Sequence, residues 1–340
     1  MNHGTKRARI AALLGDPSGI GPEVMVKLLA REANRAAAEI LLIADPAALA
    51  SGQQIAGAPL EALRVDRLED VRFEPGRVTL LAQDVLRGDP PALGECRAAS
   101  GRAALQALDE ATRAVQHGLA DAIVFAPLNK HALRLGGMTH EDELRYLQER
   151  FGVRGFVCEF NITKGLWTSR VSSHVPLREV ARLVTRESVG NAVAIIDGAL
   201  RQSGIAVPRI AVSGLNPHAG DGGSIGSEEI EIIEPAVQEL RGRGLDVRGP
   251  YSPDTIFLAA RRGDFDAVVS MYHDQGQIAM KLMGFDEGVT LHGGLPVPVA
   301  TCASGSAFDI AGRGVAKIGG LQAAFDLCAR MAARPPASAA

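Results

Sequence analysis

Three histidines, His174, His218 and His273, stand in similar surroundings along the chain. Each follows an apolar run that reads as a strand, in a turn of small residues: Ser172-Ser173-His174, Gly214-Leu215-Asn216-Pro217-His218-Ala219-Gly220 and Met271-Tyr272-His273-Asp274-Gln275-Gly276. One histidine after a strand is more often structural than a ligand. Three in the same kind of place point to a shared task. Neutral imidazoles that leave one position open are the donor set of a catalytic zinc site, with water or substrate as the remaining ligand. Other transition metals accept imidazole too, whereas magnesium prefers oxygen. Asp274 and Lys281 add acid/base groups just past the last of these strands, where α/β proteins place their ligands. On these residues alone, the stretch from Ala267 to Lys281 also reads as a plain surface turn.

The elements that must carry these groups alternate between strand and helix. Apolar runs at 10–14, 39–44, 78–81, 121–126, 209–213 and 267–269 predict buried strands. Segments 156–161 and 166–173 predict an antiparallel pair joined through Thr163-Lys164-Gly165. Helices are expected over 24–30, 100–118, 144–151, 177–183, 188–203, 228–242 and 319–332. The helix at 100–118 shows the clearest period, with Ala104, Leu105, Leu108, Ala111 and Val115 on one face. Alternating β and α elements predict an α/β fold with mostly parallel sheet. The first strand runs into Gly15-Asp16-Pro17-Ser18-Gly19-Ile20-Gly21-Pro22-Glu23, a turn that is neither a dinucleotide G-x-G-x-x-G fingerprint nor a P-loop. Its backbone reads either as a tight structural turn or as the lining of a cleft.

A chain of 340 residues that is 46% hydrophobic can bury a large core and is long enough for two lobes. A net charge of −3 argues against a nucleic-acid or membrane-surface partner, which needs a basic face. No run approaches the ~20 apolar residues that span a bilayer. Cys96, Cys158, Cys302 and Cys328 are scattered and form no C-x-x-C pair, as expected of reduced thiols in a cytosolic protein. The short apolar run ending at Leu14 predicts no secretory leader. The expected location is cytoplasmic and the expected partner a small-molecule substrate.

The turns at Gly214–Gly220 and Met271–Gly276, with Gly15–Glu23, Pro253-Asp254-Thr255 and Ala311-Gly312-Arg313-Gly314, closely resemble the 4-hydroxythreonine-4-phosphate dehydrogenase family of pyridoxal phosphate biosynthesis, in the same order over nearly the whole chain. The resemblance implies a two-lobed α/β/α enzyme, like isocitrate and isopropylmalate dehydrogenases, with mixed, mostly parallel sheets. The first lobe is expected over 1–128 and 290–340 and the second, with the dimer contacts, over 129–289. The active site is expected in the cleft between them. The resemblance also implies NAD or NADP, a divalent metal (zinc first) on His174, His218 and His273, and a homodimer that shares the metal site. Lys281 and Asp254 correspond to family residues at the substrate, and Asp254, Asp274 and Lys281 are the candidate proton-transfer groups. Lys130 and His140 fall where the family lines its substrate pocket, and Ser304, Gly305, Ser306 and Asp309 where it meets the nucleotide.

Two departures shape the expected substrate. Where the family holds phosphate with an asparagine and an arginine, this chain has Thr290 and Val299. Valine cannot make the bidentate phosphate contact of arginine. The expectation is therefore a substrate without phosphate: oxidative decarboxylation of a cyclic cis-diol, 1,2-dihydroxy-3,5-cyclohexadiene-1,4-dicarboxylate, to protocatechuate, as in the terephthalate branch of the family. Its remote carboxylate would need a cation, for which Arg170, Lys164 and Arg145 are candidates. The alternatives are the phosphorylated substrates of the wider family, and a metal- or ligand-binding homologue without catalysis.

Overall fold

The structure, a computed structural model, describes residues 7–284 and 287–334. Its strands are β1 (Ala8–Leu13), β2 (Ala38–Ala44), β3 (Ala62–Val65), β4 (Val78–Ala82), β5 (Ala122–Phe125), β6 (Cys158–Thr163), β7 (Leu166–Arg170), β8 (Arg209–Ser213), β9 (Asp246–Tyr251), β10 (Ala267–Ser270), β11 (Val289–Gly293) and β12 (Val299–Cys302). The described residues divide into two compact units, 7–154 with 295–334, and 155–284 with 287–294.

In the first unit the strands run β3-β4-β2-β1-β5-β12 and every pairing between them is parallel. Unbroken apolar runs such as Ile40-Leu41-Leu42-Ile43 suit strands covered on both faces. The helices Lys130–Leu135 and Glu143–Arg150 belong to this unit, so the division falls after Arg154 where the sequence reading put it at 128. The reason is a close backbone approach. A Cβ on Gly101, in helix Ala98–Gln116, would lie 1.8 Å from the Ala132 carbonyl oxygen. Leu133, Met138, Tyr146 and Leu147 then join Leu108 and Ala111 in one apolar cluster.

In the second unit the order is β11-β6-β7-β10-β8-β9. The pairs β11/β6 and β6/β7 are antiparallel, whereas β7/β10, β10/β8 and β8/β9 are parallel. The expected antiparallel pair is present, and its turn holds Lys164 and Gly165 at φ 50° and 84°. The α/β class and the mostly parallel sheet read from the sequence are what the chain adopts.

The sequence reading missed β3, β9, β11 and β12. Gly249 and Pro250 interrupt the pattern of β9, which tolerates them as the last strand in the order. Gly294, Pro296 and Pro298 obscure the break between β11 and β12. The stretch at His273-Asp274-Gln275-Gly276 is not a turn. It opens helix His273–Met283, whose burial pattern rests on Gly276 and Met280. All four cysteines are free, three of them buried. Among the described residues, no helix is long and apolar enough to cross a membrane.

Glycine placement yields a test of the first unit's packing. Gly101→Ala must push a methyl group into backbone and is expected to cost about 3 kcal/mol, the upper end of overpacking penalties. Gly198→Ala, on helix Arg186–Ser203 with nothing within 4 Å of the added Cβ, is expected to be neutral or stabilising by up to about 1 kcal/mol. Urea unfolding of the two variants checks the contrast.

Candidate active site

The second unit brings the three histidine turns to one edge. Strands β7, β10 and β8 are neighbours and parallel, so the turns that follow them emerge side by side. His174 follows β7, His273 follows β10 and His218 follows β8. The β9 strand, parallel to β8, delivers Asp254 to the same edge. The His174 and His273 rings lie 5.6 Å apart between centroids. The donor atoms of all three histidines do not converge within 4.8 Å of one another.

Hydrogen bonds tie the turns together. The Ser172 hydroxyl donates to the Met271 carbonyl at 2.8 Å, joining the His174 and His273 segments. The Gln275 side chain accepts from the Met271 N–H at 2.7 Å and donates to the Gly214 carbonyl at 2.9 Å, joining the His273 and His218 segments. His218, Ala219 and Asp221 sit at φ 53°, 52° and 45°, a conformation rare for residues with a side chain. Such strain costs on the order of 1 kcal/mol per residue and persists where the surroundings impose it. Glu229, buried, anchors the start of this loop: its carboxylate accepts from the Leu215 and Asn216 N–H groups at 2.7 Å and from Asn216 Nδ2 at 2.9 Å. The sequence reading missed Gln275 and Glu229, because their partners lie in loops that only the fold brings near.

His273 Nδ1 meets Asp274 Oδ1 at 2.7 Å. With Nδ1 engaged, Nε2 is left to act as a ligand, the usual division of labour in metal-binding imidazoles. Asp254 is exposed. The Ser252 hydroxyl, 2.6 Å away, holds its carboxyl below the ordinary range, and His218 adds a smaller electrostatic pull in the same direction. Lys281 is exposed on the helix of His273, and the fourfold spacing puts His273, Gln277 and Lys281 on one face. Thr290 lies on β11 and accepts from Asn161 Nδ2 at 3.4 Å. Arg170, buried, donates to Glu159 at 2.6 Å and to Asn161 and Ser173 at 2.9 Å.

The first unit carries the remaining candidates. Loops after β1, β5 and β12, which are parallel neighbours, interlock. The Ile20 N–H donates to the Ser306 carbonyl at 3.0 Å, and the Asn129 amide to the Ser306 hydroxyl at 3.4 Å. Ser304, Gly305 and Asp309 are exposed beside them, as is Lys130, the first residue of a helix that Asn129 caps. His140 instead bonds Glu149 at 2.8 Å and packs edge-on against Tyr146. Asp16 is buried among these loops. Its Oδ1 accepts from the Ser18 N–H at 2.9 Å, while Oδ2 has no hydrogen-bond partner. The sequence reading passed over Asp16 as part of a glycine turn.

The profile of the family described as pyridoxal phosphate biosynthetic protein PdxA matches residues 36–328. The chain belongs to this family. A Pseudomonas aeruginosa protein named "Putative 4-hydroxythreonine-4-phosphate dehydrogenase 2" is 52% identical, over 95% of this chain and 96% of its own length. The D-threonate 4-phosphate dehydrogenase of Salmonella typhimurium is 36% identical, over 95% of this chain and 98% of its own. Among solved structures, a 4-hydroxythreonine-4-phosphate dehydrogenase from Burkholderia phymatum has a TM-score of 0.80 at 37% identity, covering 96% of this chain and 98% of that one.

These relatives correct the expected substrate of this PdxA-family chain. A terephthalate 1,2-cis-dihydrodiol dehydrogenase from Burkholderia xenovorans is more distant, with 29% identity and a TM-score of 0.67 over 92% of this chain and 95% of that one. The cyclic-diol reading, with its production of protocatechuate, rested on Thr290 and Val299. Val299 is fully buried and stands opposite Ile123 in the first unit's apolar cluster. A valine there answers to packing and does not register whether the substrate carries phosphate.

Asp16 supplies a pH test. Burial pushes its carboxyl up to about 6, against a small downward pull from the Ser18 N–H. The folded state thus holds the proton more tightly than the unfolded chain, so stability falls as pH rises from about 4 to about 6 and stays lower above that. Asp16→Asn removes the ionisation. It is expected to be more stable than the parent at pH 8 by roughly 2–3 kcal/mol, an advantage that shrinks below pH 6 and vanishes near pH 4. Denaturant titrations at these pH values check it.

Proposed function

We propose that this chain is an NAD(P)-dependent dehydrogenase that oxidises the C3 hydroxyl of a four-carbon hydroxy acid phosphorylated at C4, with a divalent metal held by His174, His218 and His273. 4-Hydroxythreonine 4-phosphate and D-threonate 4-phosphate, the compounds in the relatives' names, share that carboxylate, hydroxyl and phosphate. The observation that carries the reading is the delivery of His174, His273 and His218 by three adjacent parallel strands.

The residues present fit such a metal. The donors are imidazoles, one of them with Nδ1 already engaged by Asp274, and the start of the His218 loop is anchored by Glu229. A divalent ion, zinc first, supplies Lewis acidity toward the oxygen being oxidised. Because the imidazoles do not converge within one chain, the reading includes a cytoplasmic homodimer that shares the site across its interface. Ser304, Gly305, Ser306 and Asp309 are assigned to the nucleotide, which supplies the hydride acceptor. Two of these groups, Ser304 and Gly305, stand exposed at the end of β12, and the orphaned buried oxygen of Asp16 lies in the neighbouring loop.

The chain's own residues divide the remaining work. Asp254, exposed and held in its ionised form, accepts the hydroxyl proton. Asp274 orients His273. Lys281, cationic and on the face of His273, pairs with a substrate anion, and Lys130 and Thr290 extend the polar lining. The 3-ketone formed is a β-keto acid, which is set up to lose CO2.

Two measurements test this. NAD(P)H formation with C4-phosphorylated 3-hydroxy acids is expected to exceed that with their phosphate-free counterparts by roughly a hundredfold in kcat/KM, because remote binding energy is used at the reacting carbon. Equal rates for the two would sink the phosphate reading. His218→Ala is expected to lose a thousandfold or more in roughly the manner of a removed ligand. Full activity of that variant, with no metal bound to the parent protein, would overturn the metal assignment.

A further inference from the structure

We propose that Arg170 is a positioning residue, whose guanidinium sets the geometry of both His174 and His273 without touching substrate or metal. The proposal rests on the metal site described under the proposed function. Arg170 ends β7, four residues before His174, and its side chain is only 4% exposed. It stands among side chains that the register places on one face: Glu159 and Asn161 of β6, and Thr290 of β11, which lies opposite Asn161.

A buried arginine needs a counter-charge, and Glu159 supplies it at 2.6 Å. That contact leaves most of the five guanidinium N–H donors still to be paired. Arg170 goes further in two directions. Its Nε donates to the Ser173 hydroxyl at 2.9 Å, fixing the residue beside His174. A second guanidinium nitrogen donates to Asn161 Oδ1 at 2.9 Å, and that same oxygen accepts from Gln277 Nε2. Gln277 lies one helical turn after His273 and one before Lys281 on the same face. The shared oxygen therefore ties the His273 helix to the same guanidinium that holds the His174 turn. A rigid planar fork can serve several acceptors at fixed angles, which a lysine cannot.

Partners that orient ligating residues influence metal affinity tenfold to a hundredfold. The test uses the full-length protein and cobalt(II) as the probe ion, read by its visible absorption and by chelator competition, beside thermal unfolding and steady-state kinetics. The Glu159→Gln/Arg170→Met pair removes both buried charges, so its folding is expected to survive. It is expected to bind cobalt at least tenfold more weakly, with a changed spectrum, at an unfolding temperature near that of the parent. Ser173→Ala and Gln277→Leu, milder changes, are expected to weaken cobalt several-fold each and carry the test if the charge pair fails to fold.

Cobalt affinity and spectrum unchanged in these variants would overturn the proposal. So would a rise in KM for substrate with metal affinity intact, which would make Arg170 a direct substrate contact. A parent protein that binds no cobalt would instead defeat the underlying metal-site reading, so the two failures are told apart.

Discussion

The parallel alignment of β7, β10 and β8 is the constraint on which the candidate site depends. Parallel strands point the same way, so whatever follows each of them emerges at one edge of the sheet. Three turns distant in sequence become neighbours there without needing any contact of their own. The turns are then locked by a few polar side chains, chiefly Ser172 and Gln275. A site built in this way inherits the rigidity of the strands and the adaptability of the loops.

The loop of His218 shows the cost of that arrangement. Several residues with side chains stand in the left-handed region, and the buried carboxylate of Glu229 anchors the residues just before them by accepting several donors at once. Strain of this kind survives only where the fold compensates it. In the first unit, Asp16 is a second departure from ordinary packing, a buried carboxyl with one oxygen unpartnered. These two departures from ordinary packing sit beside residues assigned to chemistry.

Much of the fold was legible because its signals are local. Apolar runs and helical periodicity located most strands and the long helices, and the β6/β7 hairpin showed in its turn residues. The histidines could be picked out by type and by their place after strands. The missed elements were those with interrupted patterns, β9 with Gly249 and Pro250, and β11 and β12 with prolines around them. The opening of helix His273–Met283 read as a turn because its first residues are polar and glycine-containing, and its apolar contact begins only later.

The sequence by itself determined the donor types, the α/β class and the family, since residue identity and short-range periodicity are properties of the chain alone. Tertiary structure decided what those residues mean. Strand order made His174, His273 and His218 neighbours, and placed Arg170 on Glu159, Asn161 and Ser173. It also put Val299 in a buried core, where its apolar character reports packing and says nothing about phosphate. The physical reason is that sheet pairing and burial are set by contacts between residues far apart in sequence, which no local pattern records.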